Sequence, residues 1–217
     1  MTDAILSRRL VLKWTGVAST LAVAGSLLPN FGISAALAAD LGAGDIGVLN
    51  YAYALEQLEA AFYTQVVKTP YKGITKSELS TLTAIRDHEV EHRDFLKKAL
   101  GAKAIPGLEV DFSAIKFSSR KSVLGTAEVF ENLGVAAYNG AGQLIKNVDY
   151  LAVAGSIVSV EARHCASIAE LIGGQSRKAA GAGHVDAKGL DGALSPAQVL
   201  PKAAPFIKTP VTANSLV

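Results

Sequence analysis

Glu89-Val90-Glu91-His92 and Glu161-Ala162-Arg163-His164 are the two stretches from which the fold of this chain can be read. Each is a Glu-x-x-His set inside a long segment with the apolar period of a helix. Residues three apart lie on one helical face, so each set offers a carboxylate and an imidazole to the same point in space. The first set interrupts the stripe Leu79, Leu82, Ile85, Leu96, Ala99, and the second the stripe Ala154, Ile157, Val158, Cys165, Ile168, Leu171. The acids therefore stand where core residues belong. Only four His occur, at 88, 92, 164 and 184, and two of the four lie three residues after a Glu on such a stripe, a coincidence that chance rarely supplies.

Two more segments complete a pattern. Leu55-Glu56-Gln57-Leu58-Glu59-Ala60-Ala61-Phe62-Tyr63 lies upstream of the first set, and Glu128-Val129-Phe130-Glu131-Asn132-Leu133-Gly134-Val135-Ala136-Ala137-Tyr138 upstream of the second. In both, a Glu (Glu56, Glu131) precedes a Tyr (Tyr63, Tyr138) by two helical turns along one face. The chain thus contains a twofold internal repeat of two helices. Glu59 and Glu128, one turn away from Glu56 and Glu131, are rival members of the set. Four ionised Glu in an apolar core each cost several kcal/mol unless paired or coordinated, and no Lys or Arg shares their stripes. Two divalent cations would neutralise the four carboxylates and leave His92 and His164 as neutral ligands. Mixed oxygen and nitrogen donors suit iron or manganese, with zinc as an adventitious occupant.

The periodicity predicts four helices of about 25 residues, each roughly 37 Å long. They run from Asp45 to Lys68, from the capping box Thr75-Lys76-Ser77-Glu78 to Gly101, from Ser119 to Lys146, and from an N-cap at Asp149 to Gly173-Gly174. Short links within each pair imply antiparallel neighbours. The longer link from Ala102 to Ser118 is sufficient to cross the bundle end to end. Gln175 to Gly192 reads as irregular, a short helix near 195–203 opens at Ser195-Pro196, and Lys208 to Val217 reads as a loose tail. His184 falls in the irregular stretch, and His88 is placed on a different face from Glu89. Both are expected to be solvated.

One Glu from each of two helices and Glu-x-x-His from each of two others resembles the ferritin-like superfamily of di-iron and di-manganese carboxylate bundles. The resemblance covers roughly residues 45–173. Leu58-Glu59-Ala60-Ala61-Phe62-Tyr63, Phe130-Glu131-Asn132-Leu133-Gly134-Val135-Ala136-Ala137-Tyr138, Leu194-Ser195-Pro196-Ala197-Gln198-Val199-Leu200 and Ala204-Pro205-Phe206-Ile207 are similar to an exported, desiccation-related branch. The resemblance implies an all-α ferritin-like bundle with one long crossover between helices 2 and 3. It also implies a dinuclear iron or manganese centre in which Glu89 and Glu161 bridge, His92 and His164 each bind one metal, and Glu56 and Glu131 bind terminally. Tyr63 and Tyr138 would then hydrogen-bond the ligand carboxylates, or serve only as core aromatics. Without Cys-x-x-Cys, and with Met1 as the sole Met, the rubredoxin module of rubrerythrins and the haem-binding Met of bacterioferritins are absent.

The 217 residues suffice for one substantial core. A net charge of +2 speaks against a nucleic-acid partner, and residues beyond 39 balance at 18 basic and 18 acidic (21 − 3 and 19 − 1). Residues 1–39 read as a twin-arginine-type signal: Ser7-Arg8-Arg9-Leu10-Val11-Leu12-Lys13, an apolar run from Trp14 to Leu28, and Ala36-Leu37-Ala38 as a small-x-small cleavage site. The run is shorter than a membrane span requires, so no stable span is expected after cleavage. The domain division is then 1–39 signal, 40–174 bundle and 175–217 extension. The expected address is the periplasm or the exterior, reached through the twin-arginine export machinery. The lone Cys165 forms no intramolecular disulfide and reads as an inert core thiol. Three functions compete: a dimetal oxidase, peroxidase or catalase-like enzyme acting on small oxidants or ferrous iron; metal binding or storage without turnover; and a non-enzymatic stress- or desiccation-related envelope protein. Nothing in the sequence speaks for a storage shell, and a smaller homo-oligomer stays open.

Overall fold

The computed structural model describes residues 38–173, 180, 181 and 183–216. The signal expected over residues 1–39 lies, as far as residue 37, outside the described residues. The elements are β1 Ala39–Asp40, α1 Gly44–Lys68, α2 Lys76–Leu100, α3 Arg120–Gly142, α4 Val148–Gly173, α5 Pro196–Ala203 and β2 Val211–Thr212. Among the described residues, four long helices and one short one form an all-α bundle, with sheet confined to the parallel pairing of β1 and β2. No helix among the described residues is long and apolar enough to cross a membrane.

Local chemistry sets the helix ends. Thr75 Oγ1 accepts from Glu78 N at 3.1 Å while Glu78 accepts from Thr75 N at 2.9 Å, so the capping box exists as expected. Such a cap stabilises a helix by about 1 kcal/mol. α2 stops at Gly101, whose φ of 55° is a conformation that residues with a Cβ avoid. The start of α4 differs from expectation. Asn147, not Asp149, caps it, its Oδ1 accepting from Asp149 N at 2.8 Å, and α3 ends at Gly142 rather than Lys146. The intervening turn is held by Asp45 at the start of α1, whose carboxylate accepts from Lys146 N and Asn147 N.

α1 lies along α2, and α3 along α4; the two hairpins meet through α1–α3 and α2–α4. The link between them can be followed by its bonds to α1. Asn50 binds Lys103 O at 3.0 Å and Ile105 N at 2.9 Å, Gln57 accepts from Leu108 N at 2.8 Å, and the Phe62 ring meets Phe112 and Phe117. The chain therefore climbs alongside α1 from residue 50 to residue 62, about 18 Å at helical rise. It delivers the start of α3 beside the start of α2, where Arg120 Nε pairs with Glu78 at 2.7 Å. That is the end-to-end crossover.

The final residues are not a loose tail. Ala39 N donates to Pro210 O at 2.7 Å and Leu41 N to Thr212 O at 3.0 Å, while Leu216 is buried. Backbone bonds at Glu109–Lys208 and Asp111–Phe206 tie the same segment to the crossover. The motive is apolar. Val199, Ala203 and Leu216 find burial only by folding back, and the Phe206 ring meets Phe130 edge-on at 4.9 Å. Leu194 N donates to Ala136 O on α3 at 2.8 Å, an approach that Gly140 permits.

A Cβ on Gly140 would lie 1.9 Å from Leu194 O, whereas one on the exposed Gly155 would meet nothing within 4 Å. Gly140→Ala is expected to lower stability by about 1–3 kcal/mol through overpacking. Gly155→Ala is expected to raise it by about 1 kcal/mol through helix propensity. Urea-melt midpoints at unchanged slope report both.

Candidate metal centre

Each long helix points acid into the core. α1 contributes Glu56, α2 Glu89 and His92, α3 Glu131, and α4 Glu161 and His164. The four Glu are fully buried, and His164 is 3% exposed. Two groups of potential ligands result, each with one atom per residue and all atoms within 4.8 Å of one another: Glu56, Glu89, His92, Glu161 and Glu89, Glu131, Glu161, His164.

The atoms divide with twofold regularity. His92 Nδ1 lies 2.9 Å from Glu161 Oε1, 3.5 Å from Glu56 Oε2 and 3.7 Å from Glu89 Oε2. His164 Nδ1 lies 2.8 Å from Glu89 Oε1, 3.4 Å from Glu131 Oε2 and 3.5 Å from Glu161 Oε2. Glu89 and Glu161 thus give one oxygen to each half, while Glu56 and Glu131 serve one half apiece. Short as the closest distances are, none has the direction of a hydrogen bond, and all eight of these atoms lack a hydrogen-bond partner. Among the described residues only two other buried side-chain atoms do, the hydroxyls of Tyr51 and Tyr71. Buried polar groups are otherwise almost always paired. Eight unpaired donor atoms, four per group, fit two cations in both number and chemistry.

The remaining oxygens of Glu56 and Glu131 are already engaged. Tyr138 on α3 donates to Glu56 Oε1 on α1 at 2.5 Å, and Tyr63 on α1 donates to Glu131 Oε1 on α3. Each helix carries the acid that the other helix's tyrosine holds. Burial, then the adjoining carboxylates, raise both phenols well above their usual range, so they remain neutral donors.

Crowding the acids together displaces their proton equilibria. Burial, reinforced by Glu161 and Glu56, pushes Glu89 well above the carboxylate range. Burial also lifts Glu131 to about 7, against the pull of His164. Glu161 goes the other way: burial opposes its charge, but His164 and His92 hold it down to about 2. Burial disfavours the imidazolium of His92 and of His164, yet the surrounding acids raise both to about 12. Without a cation, the cluster therefore balances its charge with protons.

The other candidates fall into place around this centre. Glu59 is buried, and burial followed by Glu89, Glu161, Glu131 and Glu56 drives its pKa well up, but it joins neither group. Its carboxyl lies against Gly134, where a Cβ would sit 3.2 Å from Oε1. Glu128 faces away, lining a surface cleft with Asn132, Cys165 and His184. Cys165 is half-buried, its thiol pushed up by burial and by Glu131 and Glu161, in keeping with an inert side chain. His88 is exposed and joins neither group, as expected, but its placement away from the site is corrected. It does not stand apart from the site: its Nδ1 lies 2.9 Å from His164 Nε2. The spacing held the signal, for 85, 88 and 92 share a helical face.

Residues 44–174 match the family model described as a ferritin-like domain. No curated protein was found to match the chain.

The charge balance has a consequence for stability. His92, His164, Glu89 and Glu131 all bind protons more tightly folded than unfolded. The folded form then holds the excess of protons, and its advantage drains away as pH rises past the unfolded pKa values toward the folded ones. Glu161, shifted downward, acts only at lower pH. Chelator-treated protein is expected to melt at progressively lower temperature from about pH 5 to about pH 9. Added divalent metal should reverse more of the loss at the alkaline end, because cations replace protons there. Thermal scans with and without chelator check both.

Proposed function

We propose, for a chain that belongs to the ferritin-like family, that the six converging side chains hold two iron or manganese ions and that the loaded protein acts on peroxide, dioxygen or ferrous iron after export. The observation that carries this is the division of eight unpaired core atoms into two sets of four. In the proposed assignment Glu89 and Glu161 would each offer one oxygen to each position, Glu56 and His92 would complete one, and Glu131 and His164 would complete the other. Four carboxylate charges against two divalent cations leave the buried set neutral, which removes the desolvation cost of isolated acids.

Bound iron or manganese would supply electron exchange with small oxidants and Lewis-acid activation of oxygen atoms. The protein supplies the surroundings. Tyr63 and Tyr138 each hold one oxygen of a terminal acid, which leaves its second oxygen free to turn toward a cation. Burial of all four Glu keeps bulk water from the centre and limits substrates to small molecules or ions. His92, 13% exposed at its side chain, marks the more accessible edge. The same burial favours a second reading, in which the metal only fastens the bundle of a stress- or desiccation-related envelope protein.

Export belongs to the proposal too. Arg8-Arg9 and Ala36-Leu37-Ala38 support a twin-arginine route and a periplasmic or extracellular address. That route carries folded protein, so metal could be loaded before release.

Elemental analysis of protein from its native compartment should find two iron or manganese ions per chain. Glu89→Gln, which alters a residue common to both groups, is expected to weaken both positions, whereas Glu56→Gln should weaken one. Losses of about 10-fold or more per affected position are expected for first ligands if outer partners already cost 10–100-fold. Metal-loaded protein that leaves peroxide and ferrous iron unchanged would rule out the redox reading and leave the fastening role.

A further inference from the structure

The internal repeat places Glu161 72 positions after Glu89 and His164 72 positions after His92. The residue that corresponds to His88 is Val160. One half of the centre therefore carries an imidazole that the other half lacks. His88 Nδ1 and His164 Nε2 are 2.9 Å apart, the ring planes are inclined by 11°, and the centroids are 5.2 Å apart. A centroid separation so much longer than the nitrogen contact means that the rings meet edge to edge and nearly coplanar. An N–H on one ring then points along the lone pair of the other, which is the favourable geometry for this bond. Among the described residues none forms a hydrogen bond of this kind with His92 Nε2.

The bond has a direction once a cation is considered. His164 Nδ1 is the atom that faces Glu89, Glu131 and Glu161. To bind metal it must offer a lone pair, so the ring's proton belongs on Nε2 and is donated to His88 Nδ1. His88 then keeps its own proton on Nε2, a tautomer that its exposed position accommodates.

We infer that His88 is a positioning residue for one cation position only: by accepting from His164 Nε2 it fixes the tautomer and tilt of His164, and so makes the Glu131–His164 position the tighter of the two. This rests on the dimetal reading above. An outer partner of a ligand imidazole raises its basicity and limits its rotation, and such partners change metal affinity by about 10–100-fold. His92, with none among the described residues, keeps a freer ring.

The test is a calorimetric titration of the chelator-stripped full chain with manganese(II). The unaltered protein should bind two ions with unequal affinity. His88→Ala should weaken the tighter step by about 10–100-fold and leave the other unchanged. His88→Gln, which retains an acceptor for the Nε2 proton, should restore most of the loss. Glu131→Gln should add little to His88→Ala, because both act on one position, whereas Glu56→Gln should strike the position that His88→Ala spared. Circular dichroism separates these effects from unfolding. Equal binding steps in the unaltered protein would overturn the inference. So would His88→Ala lowering both steps alike, as general loosening would, or lowering neither. A chain that takes up no manganese at all would remove the dimetal reading itself, a result distinct from two ions binding indifferently to His88.

Discussion

Four carboxylates face one another in an apolar interior with no lysine or arginine among their ion-pair partners. Everything else in the bundle answers to that constraint. Like charges at such separations repel strongly where water cannot screen them. The molecule divides the burden between two imidazoles, two phenols and retained protons, and the ligand geometry leaves cations as the most economical substitute for those protons. A core of this kind is expensive relative to a hydrophobic one of equal volume. Its persistence in so apolar a chain is an argument for chemistry rather than for stability.

The tyrosines show how the expense is contained. Tyr63 reaches from α1 to an acid of α3, and Tyr138 reaches back from α3 to an acid of α1. A shift of either helix along its axis would break both links and strand two buried carboxylates together. The register of the two hairpins is thus set at their centre, by polar bonds, while the apolar layers around them are more forgiving. The crossover along α1 and the folded-back C-terminal segment add a second belt at the periphery, where Asn50 and Gln57 are the buried polar anchors.

Much of this was legible in the sequence because helical spacing is a rigid ruler. Glu89 and His92, or Glu56 and Tyr63, can meet only on one face, so the pattern announced both the helices and the interior they share. The crossover was legible from length alone. What escaped depended on contacts between elements, which no ruler along the chain records. The terminal segment carries too few apolar residues to signal burial, and it is held by backbone bonds to β1 and to the crossover, which are blind to side-chain identity. The α4 cap went to Asn147 instead of Asp149 because either residue can cap, and only the turn held by Asp45 decides between them. His88 was misplaced for a simpler reason. Its spacing from Ile85 and His92 marks a face shared with the site, whereas its adjacency to Glu89 points it a quarter-turn or so away.

Glu59 and Gly134 occupy equivalent places in the two halves, each three residues beyond its helix's terminal acid, and the carboxyl of the first fills the room that the second leaves. A glutamate at both places would ask two side chains to share one volume. Duplication is therefore crowded at this level of the core: a Cβ at 134 would sit 3.2 Å from Glu59 Oε1, so one half keeps its acid beside the room the other leaves, and the interior carries an asymmetry that its ligand pattern alone would conceal.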